Sequence, residues 1–229
     1  MTAIQAGALI GFGAVAFLDQ WPVLQSMISR PIVIGPVVGA ILGDPGGGVL
    51  WGAVLEAMQL AVLPVGAARY PDAALAGLLG TTAAVTGAAD GVYPAAWAVA
   101  IALAAGWGGD TVGRAQRRWN GRTAERVRAR VAAGHLEAPG RGIAVALIRG
   151  AAIGAAQVAV GLAIVAAGSW LLRGSPWAGP LDARGLRIAA GAMIAVGGVR
   201  AFGLGRRRAV ALGLGVAMGV GLVAWGGVT

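Results

Sequence analysis

The chain has 229 residues, 58% hydrophobic and only 12% charged, with a mean hydropathy of +0.77. Soluble domains carry about a quarter charged residues, so this composition excludes an ordinary soluble globule. The chain has no cysteine, which excludes disulfides and thiolate metal sites, and its net charge of +9 comes wholly from arginine, there being no lysine.

Most of the arginines lie between apolar segments, where they set topology, and no nucleic-acid partner is expected. The 41 glycines follow no Gly-X-Y period and suit helices that approach closely within a bilayer.

Met1 to Leu18 is a first apolar segment, polar only at Thr2 and Gln5. Without a basic n-region or a small-residue cleavage site it is expected to be retained. Leu18-Asp19-Gln20-Trp21-Pro22 suits a turn at a membrane boundary, and Val23 to Arg30 is mildly amphipathic.

Pro31 to Leu42 is apolar but too short to span, since a spanning helix needs about 20 residues. Gly35-Pro36 is expected to interrupt a helix there, and Asp44-Pro45-Gly46-Gly47-Gly48 to turn the chain. A re-entrant hairpin follows, with a helix resuming over Val49 to Leu63 that places Glu56 and Gln59 on one face. Pro64 to Asp72 is a second break, and Ala73 to Ala89 another apolar segment with Thr81, Thr82 and Thr86.

After a loop at Asp90 to Pro94, Ala95 to Gly109 forms a further span. Asp110 to Arg141 is the longest hydrophilic segment, with eight arginines, and the positive-inside rule puts it in the cytoplasm as a loop. Its arginines could also bind RNA or anionic lipid; topology is the simpler reading. Gly142 to Leu172 is long enough for a tilted or broken span. Arg173 to Arg187 is expected outside, Ile188 to Leu204 returns, Arg206 to Arg208 is cytoplasmic, and Ala209 to Trp225 crosses out.

The expected fold class is therefore all-α: a polytopic membrane protein with re-entrant or broken helical hairpins and a transporter-like core. Residues 1–113 form an N-terminal membrane region holding the substrate site, 114–141 a basic cytoplasmic loop, and 142–229 a C-terminal membrane region. A carboxylate in an apolar segment costs several kcal/mol unless it faces water or a protein interior, roughly 2.5–3.5 on insertion scales. Transporters combine such acids with broken helices to hold a polar solute near the midplane.

Glu56 has two readings: an acceptor for substrate hydroxyls, or a structural acid bonded to backbone amides at the nearby breaks. Gln59 shares its face. Asp72 suits an N-cap ahead of an Ala-rich helix, and such a capped end beside a broken backbone is also where a substrate binds. Asp44 is a surface turn residue, while Asp19 and Arg30 are either structural or at the pathway mouth. His135, the single histidine, reads as an exposed loop residue rather than a phosphoryl carrier. Tryptophans 21, 97, 107, 170, 177 and 225 read as interfacial anchors. No catalytic group, metal site or cofactor is expected.

Several blocks of the first third resemble the IIC membrane subunit of the mannose–fructose–sorbose class of the bacterial sugar phosphotransferase system. They are Leu18-Asp19, Met27-Ile28-Ser29-Arg30-Pro31-Ile32-Val33 leading to Gly35-Pro36, Gly39 to Asp44, Gly52 to Glu56 and Pro64 to Ala76. Beyond about Ala89 the likeness lies in hydropathy and the position of the basic segment.

The resemblance implies a permease subunit of the bacterial inner membrane that passes a hexose-type sugar for phosphorylation by a IIB partner. It also implies a IID membrane subunit, IIA and IIB phosphocarriers, and a homo-oligomer of the IIC–IID unit within the lipid bilayer. The candidate substrate-binding set is Glu56, Asp72, Gln59, Asp19 and Arg30, with Ala67 from the Pro64–Ala76 block. Two alternatives stand beside this reading. One is an independent secondary transporter with Glu56 or Asp72 as proton carrier; the other is a non-transporting regulatory remnant of the phosphotransferase system.

Overall fold

The computed structural model describes residues 1–20, 25–59, 70–89 and 94–173. These residues form six helices and no strand: α1 (Ala3–Gln20), α2 (Pro31–Leu42), α3 (Pro45–Gln59), α4 (Ala73–Ala89), α5 (Pro94–Ala132) and α6 (Ala138–Leu172). The expected spans Ile188 to Leu204 and Ala209 to Trp225, the Arg206–Arg208 cluster and nearly all of the expected external loop lie outside the described residues.

Among the described residues, α1, α5 and α6 are long and apolar enough to cross a membrane, and α2 and α4 are shorter apolar helices. Large side chains such as Ile4, Ile148, Val160 and Trp170 stand exposed on their outer faces. In water so broad an apolar surface would drive aggregation; in a bilayer it is the solvated face. The protein is an all-helical membrane protein.

The α2–α3 hairpin follows from the sequence Gly43-Asp44-Pro45. Gly43 takes the left-handed conformation at φ 89°, and the amides of Gly43 and Asp44 cap carbonyls of α2. Asp44 Oδ1 then accepts the Gly47 N–H at 2.9 Å, and Pro45 occupies the first position of α3, where its missing N–H costs nothing. Two residues thus stop one helix and start the next.

The two helices meet through glycine. A Cβ on Gly35 would lie 2.4 Å from the Gly48 carbonyl oxygen and from the Gly52 Cα. One on Gly39 would lie 2.7 Å from the Gly48 Cα, one on Gly48 2.5 Å from the Gly35 carbonyl oxygen, and one on Gly52 2.7 Å from the Pro31 carbonyl oxygen. Gly35/Gly39 and Gly48/Gly52 are two small-xxx-small pairs facing each other, with backbone packed on backbone.

Pro36 does not interrupt α2, contrary to the expectation from Gly35-Pro36. Its position one turn into a short helix removes only an early hydrogen bond, and the bare Gly52 backbone opposite leaves room for the ring. The helix after the turn begins at Pro45 rather than Val49, because the three glycines are held by the Asp44 cap.

Helix α4 is the hub: it touches all five other helices and is buried along nearly its whole length. Its glycines admit neighbours closely. Gly77 receives Pro31 of α2, and Gly80 receives Leu55 of α3 and Ala102 of α5. Leu79 in turn fills the notch at Gly161 of α6. Helices α1 and α6 interlock in the same way, with Phe17 against Gly154 and Val158 against Gly13.

The basic segment is not a loop. Helix α5 runs unbroken through Arg114, Arg117, Arg118, Arg122, Arg126, Arg128 and Arg130, and the break is confined to residues 133–137. Alanine and arginine are strong helix formers, and no proline interrupts the run. Helix α6 is likewise continuous, not broken. Trp97 also departs from its expected role: it packs inward against Gly168 and the main core rather than marking an interface.

Gly35→Ala and Gly48→Ala should each destabilise the protein by about 1–3 kcal/mol, because the new methyl meets backbone that cannot rotate away. Gly7→Ala, with nothing within 4 Å of the added carbon, should be neutral or slightly stabilising. Thermal unfolding in detergent measures both.

Candidate functional site

The polar groups that a membrane interior tolerates least gather where the end of α1, the turn before α2, the start of α4 and the middle of α5 meet. Asp19, in the last turn of α1, is buried. One of its carboxylate oxygens accepts the Ser26 N–H at 2.7 Å and the Ser26 hydroxyl at 2.6 Å; the other accepts the Ser29 N–H at 3.0 Å. These bonds hold a turn in which Gln25 and Met27 take positive φ angles of 49° and 67°, a conformation that side chains disfavour.

That turn delivers Arg30 to the start of α2. Its guanidinium pairs with Glu56 of α3, and the second Glu56 oxygen accepts the Ile32 N–H at 3.3 Å. Glu56 is thus tied both to a charge and to a free amide of the α2 N-terminus, where the helix dipole favours an anion. Its side chain is 13% exposed and that of Arg30 39%, so the pair borders the protein interior on one side and opens outward on the other. Gln59 lies half-buried at the end of α3, one turn beyond Glu56. Ala67 lies outside the described residues.

Asp72 is fully buried and caps α4: its Oδ1 accepts the Leu75 N–H at 2.9 Å. Its own N–H donates to the Gly106 carbonyl of α5 at 2.8 Å, and the bare Cα of Gly109 lets α5 lie directly against its side chain. The Gln20 side chain and the Asp110 carboxylate are its polar neighbours. Asp110 is itself buried and is neutralised by Arg114, with Arg117 at 3.9 Å. Beside Asp72, between α1, α4 and α6, lies a cavity of about 10 Å³ that Gln157 also lines, enough for one water.

The structure therefore places the expected residues in two linked groups. Asp19 and its neighbour Gln20 join them, the first holding the Arg30 turn and the second reaching Asp72. Gln20, Asp110 and Gln157 were not singled out from sequence. Asp110 carried a usable signal, an acid at the end of an apolar run with arginine four residues on. The glutamines carried none.

At the other end of the bundle a cavity of about 180 Å³ is lined by Thr82, Thr86 and Ser169. Both threonines spend their hydroxyl protons on backbone carbonyls of α4, at 2.8 and 2.7 Å. His135 is exposed, with Nδ1 3.6 Å from Glu137.

Residues 3–199 match the family model described as the sorbose-specific IIC component of the phosphotransferase system. Curated proteins give local matches. A candidate N-acetylgalactosamine permease IIC component of Escherichia coli K12 is 36% identical over 86 residues, 38% of this chain and 64% of that protein. A sorbose-specific EIIC component of Lacticaseibacillus casei is 35% identical over 83 residues, 36% of this chain and 27% of that protein. A fructose permease IIC component of Bacillus subtilis is 38% identical over 84 residues, 35% of this chain and 29% of that protein. Each match covers less than two thirds of the relative's length. A solved structure of a membrane protein superposes with a TM-score of 0.70 over 89% of this chain and 80% of that one, at 23% identity, and supports the fold.

Two outcomes check this geometry. Asp72→Ala should cost about 0.5–2 kcal/mol through the lost cap while Asp72→Asn costs less. Arg30→Gln and Glu56→Gln should be non-additive, with a coupling of at least about 0.5 kcal/mol in a double-mutant cycle of thermal unfolding.

Proposed function

The chain belongs to the family of sorbose-specific IIC components of the phosphotransferase system, and on that premise we propose that it is a sugar-translocating permease subunit. In this reading it carries a hexose-type sugar across the bacterial inner membrane as a multi-pass protein. A IIB partner phosphorylates the sugar as it reaches the cytoplasm, a IIA protein supplies IIB, and a IID subunit completes a homo-oligomeric membrane unit.

The observation that carries the reading is the family match over residues 3–199. The polar layer supports it. A sugar offers hydroxyl groups that both donate and accept, and a site that recognises them needs charged or amide partners set in an apolar surround. Glu56 and Arg30 supply an acceptor and a donor side by side at a half-open position, and Gln59 adds an amide on the same face. Asp72 acts from beneath, fixing the start of α4 against α5. Asp19, buried and held by Ser26 and Ser29 where Glu56 keeps an exposed edge, positions Arg30 rather than touching sugar. Ala67 belongs in sequence to the segment joining α3 to α4 and is kept in the proposed set on the family resemblance alone. The α2–α3 hairpin, with helices of 12 and 15 residues, is re-entrant in this reading.

Cells expressing the chain with IIA, IIB and IID partners, offered sorbose, fructose, mannose and N-acetylgalactosamine in turn, should phosphorylate and accumulate at least one of them. Uptake should vanish without IIB and persist with an uncoupler; uptake that needs only the proton gradient would establish a secondary transporter instead. Glu56→Gln removes a charged acceptor worth about 1.5–3 kcal/mol, so apparent sugar affinity should fall roughly tenfold to a hundredfold with membrane expression unchanged.

The basic end of α5 should be cytoplasmic. A Glu125→Cys variant of this cysteine-free chain should resist an impermeant thiol reagent in intact cells and react in inverted vesicles; the reverse pattern overturns the orientation.

A further inference from the structure

Arg149 has no account in the sugar-translocating reading. It lies in α6 between Ile148 and Gly150, half-buried within a helix apolar enough to cross the membrane. Arginine inside such a segment is costly unless an anion or water meets it. Among the described residues Arg149 makes no hydrogen bond or ion pair, and neither do Arg122 and Arg126 of α5. All three line one cleft of about 520 Å³ between α5 and α6, together with Trp119, Ile153 and Ala156.

The spacing explains why they converge. Trp119, Arg122 and Arg126 recur at helical intervals on α5, as Arg149, Ile153 and Ala156 do on α6, so each set forms one face and the two faces oppose. Ala156 also lines a second cleft, of about 430 Å³, that continues between the same helices and is walled by Ile101, Ala105, Val112, Val160 and Ile164. One groove thus runs from three uncompensated cations to an apolar channel. Its apolar part spans Ala156 to Ile164, about 12 Å of helix rise, close to the roughly 15 Å depth of one hydrocarbon leaflet.

We propose that this groove binds one anionic phospholipid, with its phosphate between Arg122, Arg126 and Arg149 and its acyl chains lying along the apolar channel. Charge complementarity selects an anion, and the channel directly joined to the arginines selects one that carries hydrocarbon. A free phosphate would satisfy the cations and leave the channel bare. Trp119, 43% exposed at the charged end, stands at the level where an indole favours the headgroup boundary.

The test uses the full chain purified in non-ionic detergent, incubated with vesicles of equal parts palmitoyl-oleoyl phosphatidylglycerol and phosphatidylcholine, and weighed intact by native mass spectrometry. The wild-type chain should retain phosphatidylglycerol over phosphatidylcholine by roughly tenfold or more, since each arginine near the surface favours the anionic lipid. Excess inorganic phosphate should not displace it. Arg122→Gln/Arg126→Gln/Arg149→Gln should lose the preference, whereas Arg128→Gln/Arg130→Gln, two charge losses outside the groove, should keep it.

Gly108→Leu narrows the apolar channel from an open position with nothing within 4 Å, so it should weaken retention with all arginines in place and the helical spectrum unchanged. The proposal is overturned if the wild-type chain retains no phosphatidylglycerol, as when a further helix or an acidic segment closes the groove. It is also overturned if phosphate displaces the lipid, if the outer-arginine variant loses the preference equally, or if both groove variants keep it.

Discussion

Backbone-to-backbone contact between α2 and α3 is the constraint from which the rest of the core follows. Four glycines let two short helices lie closer than any side chain would allow. Within a bilayer, lipid tails compete evenly with apolar side chains, so close van der Waals contact between backbones is what holds such a pair. The hairpin then presents Pro31 and Leu55 outward as ridges that enter the glycine notches of α4. Because α4 touches every other helix, an error in the α2–α3 spacing would pass into the whole bundle.

The polar layer depends on the same packing. Arg30 and Glu56 lie 26 residues apart on different helices and meet because the Gly35 and Gly52 backbones bring those helices together at that level. Asp72 can be buried because it caps α4 with one oxygen and sits against Gly109, where any side chain would collide with it. Every acid in the layer is met by an amide, a hydroxyl or a guanidinium, the condition under which ionisable groups survive in an apolar interior. The polar layer is therefore a consequence of where glycine was placed.

This explains what could be read from the sequence and what could not. The existence of the hairpin turn was legible in Asp44-Pro45-Gly46-Gly47-Gly48, though not that its glycines are already helical, and the cap was legible in Asp72 ahead of an Ala-rich run, since both are local chemistry. The acid in an apolar helix marked Glu56 as a residue needing a partner, but the partner itself, Arg30, depends on the packing of two helices and left no local trace. The helical course of the basic segment was not legible, because polar residues with strong helix propensity extend a helix beyond the membrane as readily as they end one. The tolerance of α2 for Pro36 was not legible either, because it depends on what lies opposite, a bare glycine backbone.

The continuity of α5 has a mechanical meaning. Its 39 residues make a rod about 58 Å long, against roughly 30 Å of hydrocarbon, so one unbroken element reaches from the Asp72 contact at Gly106 out to Arg130. The arm beyond Gly106 is about 36 Å by rise. A rotation of only ten degrees about the Gly106 contact would sweep its charged tip by about 6 Å, more than the pitch of one helical turn. A rigid tilt of α5 at the buried acid, were α6 to move with it, would thus be enlarged at the far end of the helix.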